Sequence, residues 1–239
     1  MIGTGTLVNA LAIIIGSAIG LIFKGGIKQR FQDTLMQALG LCVMFIGIAG
    51  ALKGIFLVNG SDLETTGTMI MILSLVIGGL IGEMINIEKW LDVFGKWIKV
   101  KVRVKNDNNF VDGFVTASLV VCVGAMAVVG SLQDGLTGDA SMLYTKSALD
   151  FVFIVITAST LGIGVMFAAI PLAIYQGTIT LLARFIEPFL TAQVISNLSF
   201  VGSILIFGIG VNLSFGKKFK VGNLLPSLII VVIASFILN

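Results

Sequence analysis

Residues 112–150 read DGFVTASLVVCVGAMAVVGSLQDGLTGDASMLYTKSALD, and this stretch decides how the chain is to be understood. Its apolar run from Phe114 to Leu132 is long enough for a bilayer, whose hydrocarbon core needs about 20 helical residues. The run carries Gly124 and Gly130 and passes into Gln133, Asp134, Gly135, Thr137, Gly138 and Asp139. A helix ending in glycines and carboxylates leaves backbone groups that in lipid need partners from protein or trapped water. Solute sites in transporters are often built this way. The same residues also suit an ordinary solvated loop between two helices, with glycine for the turn and aspartate for solubility.

The composition around this stretch excludes a soluble domain. The chain is 57% hydrophobic and 11% charged, with a mean hydropathy of +1.09, against about 25% charged residues in soluble proteins. It reads as an all-α polytopic membrane bundle, a single transmembrane domain over residues 1–239 with no separate soluble part. The 29 glycines fit that class, because small residues let transmembrane helices approach closely. Cys42 and Cys122 fall inside apolar runs and read as small buried hydrophobes. With no histidine in the chain, a Ser-His-Asp triad, a His-ligated haem and a His-based zinc site are excluded.

Outward from the opening stretch, the chain divides into eight apolar segments. The first covers Thr4 to Phe23 and, lacking a basic start and a small-residue cleavage site, reads as a retained helix. The next two are Leu35 to Val58 and Gly67 to Ile85, separated by a short loop, Asn59 to Thr66, bearing Asp62 and Glu64. Segment four is Phe110 to Leu132. Segment five runs from Ser147 to Ile170, where Pro171 is expected to break the helix. Leu172 to Leu190 contains Tyr175, Gln176, Arg184, Glu187 and Pro188 and is the weakest candidate to span. Leu198 to Phe215 and Val221 to Leu238 complete the set, with Asn223 and Pro226 expected to break the last one locally. Seven or eight spans result, according to whether the weak segment crosses.

The net charge of +3 is sorted by topology. Lys24, Lys28 and Arg30, the six basic residues from Lys89 to Lys105, and Lys217, Lys218 and Lys220 make up twelve of the fifteen. If the weak segment crosses, all three clusters share one side, and Asp62, Glu64, Asp134 and Asp139 share the other. The positive-inside rule then places both termini outside. Within the connector 86–109, Trp90, Leu91, Phe94, Trp97 and Ile98 share one helical face, while Lys89, Asp92, Lys96 and Lys99 share the other. That pattern is an amphipathic helix on the cytoplasmic membrane surface. The run from Lys99 to Asn109 then leaves that surface as an extended link.

The first and third segments repeat. Gly5, Thr6, Leu11, Ile15, Gly16, Ile19 and Gly20 recur at identical spacing as Gly67, Thr68, Leu73, Ile77, Gly78, Ile81 and Gly82. A weaker match joins Cys42, Gly50 and Leu52 to Cys122, Gly130 and Leu132. Two spans per unit make this a parallel repeat of segments one and two as three and four, with segments one and three about a pseudo-two-fold axis. Gly16 with Gly20, and Gly78 with Gly82, are small-residue pairs that serve packing within the bundle or between the subunits of a homo-oligomer.

Ionisable residues in or beside the spans are the candidates for chemistry, because a buried charge must be paired or hydrated. These are Lys53, Glu83, Asp112, Lys146, Asp150, Arg184 and Glu187. Lys146 and Asp150, four apart, share a helix face and can pair. Asp134, Asp139 and Lys146 are expected at the outer mouth of the bundle, whereas Glu83 and Asp112 can snorkel to the interface. Ser131 and Gln176 add uncharged polar groups; asparagine and glutamine in apolar runs bridge helices or bind solute, while Ser and Thr bond back to their own helix. No nucleotide loop, metal-ligand spacing, cofactor fingerprint or nucleic-acid signature is found.

The opening GTLVNALAIIIGSAIG, the run CVGAMAVVGSLQDGLTGD from Cys122 to Asp139, KSALDF from Lys146 to Phe151 and IYQGTITLLA from Ile174 to Ala183 resemble the bacterial inner-membrane family that includes YqgA and YdfK. The likeness covers essentially the whole length. It implies a multi-spanning protein and brings no activity with it.

These readings converge on a transporter or channel for a small solute or ion, its site between segments four and five. Gly124, Gly130, Ser131, Asp134, Asp139, Lys146, Asp150 and Gln176 are the expected site residues. The alternative is a non-transporting scaffold or sensor that oligomerises through the glycine faces. An enzyme acting on lipid would have only Asp, Lys or Ser chemistry available.

Overall fold

The structure is a computed structural model and describes residues 2–24, 28–59, 62–104 and 109–237. Gly25 and Gly26 of the first connector, Lys105 in the extended link and Leu238 at the expected end of segment eight lie outside the described residues.

Helices dominate, as the apolar runs require. In order they are α1 (Thr4–Lys24), α2 (Gln29–Ile55), α3 (Thr68–Ile85), α4 (Ile87–Lys101), α5 (Phe110–Cys122), α6 (Ala125–Thr137), α7 (Ser141–Leu161), α8 (Ala169–Leu181), α9 (Ala183–Ile186), α10 (Ala192–Phe215), α11 (Val221–Leu224) and α12 (Ser227–Ile237). A 3-10 stretch, Ile163–Ala168, leads into α8. Among the described residues, six helical stretches are long and apolar enough to cross a membrane, or seven if the bent pair α5 and α6 is one span. The last segment is shorter and broken between α11 and α12, with Pro226 of the expected Asn223 and Pro226 pair in the break.

Several boundaries differ from the sequence reading. Segment four is not one helix dissolving after Leu132. It breaks at Val123 and Gly124, its halves meet at 61°, and the second half continues helical through Gln133, Asp134 and Gly135 to Thr137. The loop between segments two and three is an antiparallel hairpin of β1 (Phe56–Asn59) and β2 (Asp62–Thr65), pairing Phe56 with Thr65. Segment five stops at Gly162, whose φ of 88° ends α7, and not at Pro171. Pro171 sits in the first turn of α8, where a missing N–H costs nothing. The weak sixth segment therefore starts earlier, at Ile163, and reaches spanning length by Leu181.

The described chain forms two compact units. The first contains the chain up to Leu39, Trp90–Cys122 and Met126–Pro188. Its centre is the pair α1 and α7, lying parallel and very close. A Cβ on Gly16 would stand 3.2 Å from the Phe151 ring, and one on Gly20 would stand 2.9 Å from Ala158 Cβ. Phe110 and Phe114 at the start of α5 are fully buried with Ile98 of α4. Phe94 meets Phe114 edge to face at 5.8 Å and stacks on Trp97. The amphipathic connector is thus helical, with Ile98 inward and Trp90 and Trp97 exposed.

The second unit contains Gly40–Lys89, Val123–Ala125 and the chain from Phe189 onward. There α2 runs antiparallel to α10, with Gly40 by Gly210, Gly47 by Phe207, Gly50 by Ser203 and Gly54 by Phe200. α3 packs on α11 and α12, with Gly78 against Ser227 and Gly82 against the Asn223 backbone. Each glycine face of the repeated motif is filled from within its own unit. Asn223 ties this end together: its Nδ2 donates to Glu83 Oε2 at 2.7 Å, and its Oδ1 accepts from Glu88 N–H at 2.8 Å. Lys220 reaches Glu83 at 2.6 Å, and Lys217 pairs with Glu88.

Candidate functional site

The residues gathered here lie on α1, α6, α7 and α8 of the first unit. Two residues invisible to a hydropathy reading bring α6 inward. Gly130 admits Leu143 of α7, where a Cβ would meet Leu143 Cδ2 at 2.8 Å, and Gly135 admits the Thr180 backbone and Ala183. Gly124 makes the break possible. Its φ of 142° is one that a residue with a Cβ rarely adopts.

Asp134 is completely buried and its two oxygens face the start of α1. Oδ1 accepts the Gly3 N–H and Oδ2 the Gly5 N–H, both at 3.0 Å. The first N–H groups of a helix have no partner within it and carry its positive end. Asp134 supplies both the acceptors and the countercharge. Asp139 does a similar service at the surface: its Oδ1 accepts the Ser141 hydroxyl at 2.6 Å and the Ser141 N–H at 3.0 Å, turning the chain into α7. The hydroxyl first, and the N–H second, hold the Asp139 carboxyl below the usual carboxylate range.

Deeper along α7, Lys146 and Asp150 form an ion pair with 6% and 8% of their surfaces exposed. The pairing at four-residue spacing is the one expected from sequence, and both side chains are buried. Asn9 of α1 lies beside the Asp150 carboxylate without closing a hydrogen bond of ordinary geometry. Cys122 is within electrostatic reach of both charges, and Tyr175 of α8 is within reach of Cys122.

The chemistry left open here is polar and uncharged. Both amide atoms of Asn9, both of Gln176, and the hydroxyls of Thr6, Ser131 and Thr180 are buried without a hydrogen-bond partner. Buried polar groups are nearly always paired; Ser17 of α1, and in the second unit Ser74, Ser227 and one Glu88 oxygen, are likewise buried without a partner. Ser118, Ser147, Thr157 and Thr160 behave otherwise and bond back to carbonyls of their own helices. Of the other flagged polar residues, Asn197 bridges to Ser235 at 2.9 Å in the second unit, and Lys53, Asp112, Arg184 and Glu187 are exposed. Among the described residues no three His, Cys, Asp or Glu side chains gather as a metal site.

Sequence reasoning missed Asn9, Thr6 and Thr180. The signal was present for Asn9, an asparagine inside the apolar run of the first segment. Thr6 and Thr180 carry no such signal, since threonine in a span commonly bonds to its own backbone.

A bundle of apolar helices with one broken span and a buried polar interior defines a multi-pass membrane protein. The chain belongs to the family described as Protein of unknown function (DUF554), which matches residues 4–236. It is 36% identical to the Uncharacterized membrane protein YdfK of Bacillus subtilis (strain 168), over 98% of this chain and 96% of that one. It is 29% identical to the Uncharacterized protein YqgA of Escherichia coli (strain K12), over 95% of this chain and 93% of that one. No solved structure matches it.

Proposed function

We propose that the protein is a transporter or channel for a small solute or ion, set in the bacterial inner membrane with its N-terminus outside. Its site lies where the broken fourth span meets the fifth, lined by Asn9, Ser131, Gln176 and Thr180 and bounded by Lys146 and Asp150. One observation carries the reading: a set of unpartnered buried polar groups on three helices of a membrane bundle. Each such group costs about 1–3 kcal/mol when nothing pairs with it, a cost that a passing solute or a water file would offset. Asp134 and Gly130 shape the site by fixing α1 and α7 around it, and Gly124 gives the backbone the freedom to break.

The test is flux in reconstituted liposomes, by current and by uptake, across cations, anions and neutral solutes. Wild type conducts or takes up at least one of them, and Asn9→Leu with Gln176→Met abolishes the signal. Asp134→Asn is a poor control, because it disturbs the start of α1. Silence from folded wild-type protein across the panel rejects transport and favours a scaffold or sensor. That alternative draws less support, since Gly16, Gly20, Gly78 and Gly82 already pack against the same chain.

A further inference from the structure

We infer that the solute is uncharged and carries hydroxyl or amide groups, as small polyols and carboxamides do; the inference rests on the transport reading above.

The charge balance is the first ground. Among the described residues, the buried charged ones of the first unit are Asp134, Lys146 and Asp150. Asp134 is committed to the positive end of α1 through Gly3 and Gly5. Lys146 and Asp150 neutralise each other across one helical turn. An ion entering this interior meets no spare countercharge, and desolvating it there without one is prohibitive. A zwitterion fares little better, because it must separate Lys146 from Asp150 to satisfy its own two ends, and a buried pair is costly to break.

The second ground is the inventory of hydrogen-bonding groups. A carboxamide offers two donors and an acceptor, and a hydroxyl one donor and an acceptor. Gln176 presents both kinds unpartnered, Asn9 adds an amide beside the Asp150 carboxylate, and Thr6, Ser131 and Thr180 add hydroxyls. Such a lining complements molecules that donate and accept at once. A cation would use only the oxygens, leaving the amide N–H groups unpaired, and an anion would do the reverse.

The experiment uses the full chain in liposomes, with light-scattering swelling for glycerol and acetamide as uncharged probes, uptake for alanine as zwitterion, and current for potassium and chloride. Glycerol or acetamide should permeate about tenfold faster than without protein, with no accompanying current, and Gln176→Met should remove about that tenfold, the scale of one lost hydrogen bond. Thermal unfolding of Gln176→Met at or above the wild-type temperature shows that the loss is not misfolding. Alanine, potassium or chloride flux exceeding that of the neutral probes overturns the solute class and leaves transport standing. Absence of every flux from folded protein overturns both. Neutral flux that survives in Asn9→Leu and in Gln176→Met overturns the assignment to these groups.

Discussion

Two buried polar side chains in the same four-helix neighbourhood have opposite relations to stability. Asp134 gives each oxygen a backbone N–H to accept, and charge-assisted bonds of this kind contribute about 1.5–3 kcal/mol each. Asp134→Ala should therefore lower stability by about 3–5 kcal/mol, through two unpaired donors at the head of α1. Gln176 has no partner for either amide atom. Replacing it with the similarly shaped Met should raise stability by about 1–3 kcal/mol. Both are read from thermal or denaturant unfolding in detergent, and a destabilised Gln176→Met would mean that the amide supports the fold. Lys146 and Asp150 call for a double-mutant cycle. Lys146→Met alone strands a buried carboxylate and should cost about 3–5 kcal/mol, whereas adding Asp150→Leu should recover most of it. Independent effects of the two substitutions would show that the pair does not act as a unit.

At the scale of helices, glycine decides where elements can touch. Gly20 lies against Ala158, leaving no room for a Cβ, while Gly177 on α8 has nothing within 4 Å of where its Cβ would be. Gly20→Ala should push α1 from α7 and lose about 1–3 kcal/mol, and Gly177→Ala should be neutral or gain about 0.5–1 kcal/mol from its higher helix propensity. Equal effects in unfolding would contradict the close α1 and α7 seam. Much of this level was legible in the sequence. The Gly16 and Gly20 spacing announced a close contact, the tryptophan face announced α4, and Asn223 with Pro226 announced the break before α12. The break at Gly124 was not legible, because Val121 to Val129 is apolar on both sides of it and hydropathy does not register a backbone turn. Nor was the end of α7, where Gly162 stops the helix and Pro171 merely starts the next one. In both places the φ of one glycine decides, and many other glycines in this chain sit in regular helix. The site was half legible: Lys146, Asp150, Ser131 and Gln176 stand out as polar residues in apolar runs, but that Asp134 is occupied by α1 depends on a contact across 129 residues of chain or more.

At the scale of the molecule, the open question of the sequence was whether the sixth segment crosses, and the second unit bears on it. Lys220, after α10, reaches Glu83 near the end of α3, and Lys217 reaches Glu88 at the start of α4. The basic turn after α10 therefore shares one end of its unit with the basic connector after α3. Between those two points the chain passes through the broken fourth span, α7, the Ile163–Leu181 stretch and α10. A return to the same end requires an even number of crossings, so if the other three span, the sixth does too. Charge leads to the same arrangement independently, since lysine-rich connectors stay on the cytoplasmic side. Single cysteines introduced as Glu64→Cys and Lys218→Cys, with Cys42 and Cys122 replaced by Ala, test it in intact spheroplasts. A membrane-impermeant maleimide should label position 64 from outside and position 218 only after permeabilisation. Labelling of both from outside would mean an odd number of crossings between α3 and the turn after α10, and the sixth segment would then lie within the bundle without spanning it.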